Sequence, residues 1–213
     1  EPLSTEIKNF KNETYGNLRI GLATSKSVFG PWERSDEPIL LPRPRKWDDN
    51  ITTNPAPCVA DDGSILLVYR SNVPKLGTRL GVAKAEKLGE PFKRIRDNYM
   101  EFHVEDPYIW WVKDHYEMIA KDQSGTLTDE YHAGVHATSK DGIDWIVSDP
   151  AKAYSREIVW DDGTTDNLGS FERPQLLIEN GKPVCLYCAT GDGPGGFNNA
   201  LRTWNVATPF KNE

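Results

Sequence analysis

Three stretches of the chain alternate small or apolar residues with polar ones in the same way. They are 19–25, 80–85 and 133–139, and they align without gaps on Gly21, Gly81 and Gly134. A period of two sustained over five or six residues is that of a strand with one face buried. An aromatic follows each at a similar distance, at Trp32, Phe92 and Trp145. Gly21 and Gly81 are 60 residues apart, and Gly81 and Gly134 are 53 apart. The chain repeats.

A second pattern opens each unit. Asn54, Asp106 and Arg173 stand directly before Pro55, Pro107 and Pro174, and an apolar run follows each proline. Turn residues come next at 61–63, 113–115 and 179–181, then further apolar runs at 64–69, 116–120 and 183–187. These are hairpins with suitable turn chemistry. A proline also biases its predecessor toward extended backbone, so Arg173 is expected to enter its strand extended.

Each unit therefore reads as four antiparallel strands in roughly 50 residues, the signature of a β-propeller blade. Ser139 with 140–145 resembles the Asp box turn of sialidase-like blades, and an ordinary Asp-Gly hairpin turn reads equally well. The expected fold is all-β, one propeller domain over 1–213 with about three to four blades represented. No hairpin opening precedes Arg19, so the first blade is incomplete. Two explanations follow: the sequence is a fragment, which is favoured, or the strands after Phe197 close the ring in an unusual way.

Composition narrows the partners. The 213 residues are 38% hydrophobic and 27% charged, a globular balance with no run of membrane-spanning length and no signal-peptide pattern. A net charge of −7 without a basic cluster argues against nucleic acid. Seven Trp and eight Tyr suit either a sugar-binding groove or a β-rich core. Cys185 and Cys188, three apart on one strand, point to opposite faces. They and Cys58 read as buried free thiols rather than a zinc or redox pair.

The first strand of each propeller blade lines the central channel, so the three X-Pro steps gather at one pocket. Asn54, Glu105, Asp106, Glu172 and Arg173 meet there. Carboxylates from two blades suit glycoside hydrolysis, one protonating the leaving oxygen while the other tunes it or acts at the anomeric carbon. Arg70, Lys121 and Asp122 end second strands, where they bind sugar hydroxyls or an acidic substituent, or form inter-blade salt bridges. His132 and His136, four apart on a strand, face one side, as blade filling, a metal site or a second acid. Asp48 and Asp49 read as a solvated loop. The loops at 161–163 and 191–196 lack calcium-loop spacing, and the second lacks the ending of a phosphate loop.

The run from Glu105 to Trp110 and the run 171–174 resemble the acidic motifs of five-bladed propeller glycosidases, families 43, 32, 68 and 117. The stretch 21–26 followed by 30–32 is similar to the end of an early blade in those enzymes. The resemblance implies that Glu172 is the general acid and Asp106 the pKa modulator or transition-state stabiliser. It implies a carbohydrate substrate, a secreted or periplasmic location, and no cofactor beyond a structural or channel cation such as calcium. Asn54, Glu105, Arg70, Lys121, Asp122, Arg173 and His136 are the substrate-binding candidates. These families also carry a base or nucleophile on the first blade. No such motif precedes Arg19, and Asn54, at the matching position one blade on, cannot act as a base; Asp48 and Asp49 could stand in for it, with loop solvation the favoured reading. A polypeptide without that carboxylate is expected to be catalytically dead. A catalytically silent carbohydrate-binding propeller and a sugar phosphorylase on the same scaffold remain open, the latter needing Arg, Lys or His beside the acid.

Overall fold

The computed structural model describes residues 13–193 and 196–210. Its layering follows from strands that are apolar on both faces. A short hairpin of β1 (Ala23–Thr24) and β2 (Glu33–Arg34) comes first, extended by a bridge between Ile20 and Leu40. One antiparallel sheet follows, ordered β3 (Thr53–Val59), β4 (Ile65–Val73), β5 (Gly77–Ala85) and β6 (Lys93–Arg94). A second contains β7 (Val104–Val112), β8 (His115–Asp122), β9 (Gly134–Ser139) and β10 (Ile146–Tyr154). After a small hairpin of β11 (Glu157–Val159) and β12 (Thr165–Asn167), a third contains β13 (Ser170–Glu179), β14 (Lys182–Gly191) and β15 (Thr203–Pro209).

β4 shows why the apolar runs are continuous rather than alternating. Leu66 and Val68 pack toward the second sheet, with Leu80, Val82, Val104, Ile109, Met118 and Val135. Leu67 and Tyr69 point the other way, toward Ile20, Leu40 and Ala83. β8 divides likewise: Met118 and Ala120 join the first interface, while Ile119 joins Phe171, Leu186, Cys188 and Val206 in the next. A strand in the middle of a stack of blades needs both faces apolar, as each buried large aliphatic contributes about 1.5–3 kcal/mol. The first strands β3, β7 and β13 lie side by side through these interfaces. Cys185 and Cys188 are both buried and unpaired, as expected for opposite faces of a covered strand.

The repeated glycines have a packing reason. A Cβ on Gly81 would lie 2.6 Å from both Trp47 and Tyr69, and one on Gly134 would lie 2.2 Å from the Tyr154 ring. Nothing stands within 4 Å of the corresponding position at Gly21. The 19–25 stretch also departs from the sequence pattern in forming only a two-residue strand and an isolated bridge, with Phe29 and Trp32 exposed. Gly134→Ala is expected to destabilise by about 1–3 kcal/mol through overpacking. A thermal melt should show it as a fall of about 2–4 °C per kcal/mol, while Gly21→Ala leaves the melt unmoved.

The turn between β9 and β10 is closed from within. Asp141 accepts hydrogen bonds from the N–H groups of Ile143 and Asp144 and from the Ser139 hydroxyl, and Trp145 donates to the Gly142 carbonyl. The strand after Phe197 pairs only with β14 among the described residues. That strand therefore completes its own sheet rather than closing a ring against the first hairpin. Pro194 and Gly195 of the 191–196 loop lie outside the described residues.

Candidate active site

The site starts from a backbone irregularity that occurs three times. Asn54, Asp106 and Arg173 have φ of 46°, 52° and 55°, in the left-handed region. Arg173 is thus not extended, contrary to the bias expected from Pro174. The pairing register shows the reason. Between Thr53 and Ala56, Glu105 and Tyr108, and Glu172 and Gln175, the first strand advances three residues while its partner advances two. Each is a β-bulge, and the proline after the left-handed residue takes the unpaired place, where a missing N–H costs nothing. A non-glycine residue held there costs on the order of 1 kcal/mol, the kind of strain that gathers at functional sites.

The bulges put two neighbouring side chains of each first strand at the same rim, and a ladder of charges joins them. Arg70, opposite Thr53 in its own sheet, ion-pairs with Glu105 of the next. Lys121, opposite Glu105, reaches Glu172 of the sheet after that at 3.1 Å. The same ammonium lies 3.0 Å from Glu105 and 3.9 Å from Asp106. Ala189 holds the equivalent position opposite Glu172, so the ladder ends there. Burial alone would lower the Lys121 pKa, but Glu105, Glu172 and Asp106 outweigh it and hold the ammonium above its ordinary value. Burial pushes Glu105 up, and the opposing pull of Lys121 and Arg70 leaves it below the usual range. With Gln123 also donating to it at 2.9 Å, Glu105 is fully occupied by protein donors.

Asp106 is the junction. Its Oδ1 accepts from the Asn54 amide and lies 3.8 Å from the Arg173 guanidinium, while Oδ2 faces Lys121. Asn54, Asp106 and Arg173, with Pro55, Pro107 and Gln175, line a cavity of about 120 Å³. Glu172 stands between Lys121 and His132, whose Nδ1 is 4.0 Å from its Oε1 and has no hydrogen-bond partner among the described residues.

Two candidates stand apart from this cluster. Asp122 is buried with its carboxylate turned into the following loop, accepting from the N–H groups of Ser124, Gly125, Leu127 and Thr128 and from the Thr128 hydroxyl. Burial raises its pKa, and these donors reverse the shift to below the ordinary value. It organises the loop that carries His132 instead of facing the pocket. His136 bonds Ser148 and Glu117 on the third strand, away from Glu172. The expected shared face of the two histidines fails because β9 begins at Gly134, leaving His132 in a left-handed turn before it. Asp48 is not a solvated loop residue either: it is fully buried, holding Arg43 at 2.9 Å, Arg94 at 2.7 Å and the Tyr69 hydroxyl at 2.7 Å. Asn72 and Tyr15 carry no sequence signal, yet Tyr15 accepts from both Arg70 and Asn72 at the rim. Among the described residues no three His, Cys, Asp or Glu side chains gather as a metal site.

Burial, followed by the nearby charges of Lys121 and Arg156, lowers His132 to about 4. A histidine held neutral in the fold takes its proton more readily when unfolded. Its contribution to stability is therefore complete above the unfolded value near 6.5 and is lost as pH falls toward about 4. Urea melts should show about 2 kcal/mol less stability at pH 5 than at pH 7.5, and His132→Gln should flatten that slope.

No family model matches the chain, and no curated protein matches it by sequence. Solved structures do match in fold. A thermostable family-43 glycoside hydrolase superposes with a TM-score of 0.62 at 13% identity, over 92% of this chain and 64% of the other. A complex of BT0996 with RGII gives 0.62 at 15%, over 90% and 56%. A family 117 glycoside hydrolase from the marine bacterium Zobellia galactanivorans gives 0.58 at 15%, over 90% and 51%. The fold is that of the five-bladed propeller glycosidases, and the chain spans about half to two thirds of the length of these structures.

Proposed function

We propose that the protein of which this chain forms part is a glycoside hydrolase acting on a poly- or oligosaccharide, with Glu172 as general acid and Asp106 as its tuning and charge-stabilising partner. The observation that carries this reading is the meeting of these two carboxylates, from neighbouring first strands, at one buried ammonium, 3.1 and 3.9 Å away. Glu172 is the less enclosed, with 14% of its side chain exposed against 4% for Asp106. The proton donor needs that access to the leaving oxygen, and the partner that stabilises developing charge is better held rigid. Asp106, fixed by Asn54 and Lys121, is rigid. A polysaccharide substrate places the protein outside the cytoplasm, secreted or periplasmic, and no helix among the described residues is long and apolar enough to cross a membrane.

The third carboxylate of the resemblance is supplied neither by Asn54, an amide bonded to Asp106, nor by Asp48, which is sealed against two arginines. A second reading, a carbohydrate-binding propeller without turnover, applies if no carboxylate of the full-length protein takes that place. The phosphorylase reading loses two of its cations, because Arg70 and Lys121 are already matched by Glu105 and Glu172. The test is oligosaccharide turnover by the full-length protein, with and without phosphate, beside its Glu172→Gln variant. Phosphate-independent turnover that depends on Glu172 supports the hydrolase, and binding without turnover supports the second reading.

A further inference from the structure

Three cations stand in the charge cluster, and two of them are spent. Arg70 and Lys121 have side chains 12% and 4% exposed and lie in ion pairs with Glu105 and Glu172. Arg173 differs on every count. Its side chain is 62% exposed, and its nearest carboxylate oxygen, on Asp106, is 3.8 Å away, beyond hydrogen-bond distance. That oxygen already accepts from Asn54. Among the described residues the Arg173 guanidinium donates no hydrogen bond, so its fork of N–H groups is free at the wall of the 120 Å³ cavity.

The backbone adds an independent observation. Arg173 has φ +55°, where glycine would sit without strain. A long cationic side chain thus stands at a strained position beside Glu172 and over a cavity, with a single carboxylate within 4 Å among the described residues. A guanidinium matches two oxygens of a carboxylate or sulfate in one plane. The cavity of about 120 Å³ at this wall has room for such a group.

We infer that Arg173 reads an acidic substituent, the carboxylate of a uronic acid or a sulfate ester, on the sugar bound at this rim. The inference rests on the reading of the rim as a sugar pocket and adds the substrate class to it. The net charge of −7 repels a polyanion at long range, so the recognition is of one acidic group at contact, within a Debye length of about 8 Å, rather than along an anionic track.

The experiment is calorimetric titration of the full-length protein with D-galacturonate, D-glucuronate and galactose 6-sulfate, each beside its neutral parent sugar, and with inorganic phosphate. At least one acidic sugar should bind ten-fold or more tightly than its parent. That preference should vanish in Arg173→Gly and Arg173→Gln and persist in Glu172→Gln. Arg173→Gly removes the guanidinium while glycine takes the left-handed backbone freely, so its melting temperature should hold or rise. The inference is overturned if no acidic sugar is preferred, if the preference survives Arg173→Gly, or if phosphate alone binds as tightly as the acidic sugars. A failure of the hydrolase reading shows itself elsewhere, as unchanged turnover in Glu172→Gln, and leaves this binding preference intact.

Discussion

Glu172→Gln is expected to lower turnover of the full-length protein by about 10²–10⁴-fold, the range of general acid catalysis. The amide keeps the shape of the side chain and can still accept from Lys121, now 3.1 Å from a carboxylate oxygen, but it has no proton to give. The loss should depend on the leaving group. An aryl glycoside with an acidic phenol departs without help, so its hydrolysis should survive the substitution far better than that of an oligosaccharide. Stability should change little, because Lys121 keeps Glu105 and Asp106 as partners. Turnover within a few-fold of wild type on both substrates would remove Glu172 from the acid role.

Lys121→Met should carry the largest stability effect of any single polar change at the site. Its side chain is 4% exposed and stands among Glu105, Asp106 and Glu172. Removing the ammonium leaves buried carboxylates facing one another, with Arg70 matching only Glu105 at hydrogen-bond range. Breaking a buried ion pair from one side costs about 3–5 kcal/mol, which in a protein of this size is a fall of about 6–20 °C in melting temperature. Lys121→Arg, which keeps the charge, should recover much of it. A Lys121→Met melt within 2 °C of wild type would mean that the ammonium is not the electrostatic centre of the cluster.

Much of this site was legible in the sequence because it is repeated. Asn54, Asp106 and Arg173 before proline mark three first strands, and the structure places all three around one cavity. Arg70 and Lys121 at the ends of second strands also reach the rim, where they act as rungs between blades. Asp122 and His136 did not follow. The parity of a strand assigns a residue to a face only while the strand continues, and β8 ends at Asp122 while β9 starts after His132. The left-handed backbone at Arg173 was hidden for a similar reason. The local preference of a pre-proline residue is overridden by the register of an entire sheet, which absorbs one extra residue there.

Alternation, turn residues and the proline steps were enough to determine the all-β blade pattern, because strand periodicity and turn chemistry are local properties of the backbone. They also singled out Glu172 as the carboxylate just ahead of a residue–proline step. Only the tertiary structure decided what surrounds it. Lys121 comes from the preceding blade and His132 from a loop held by Asp122, and the free Arg173 guanidinium is exposed because its neighbours' charges are already matched. Partners of that kind are set by how blades stack, since a residue's charge is written in the sequence and the distance to its counter-charge is not.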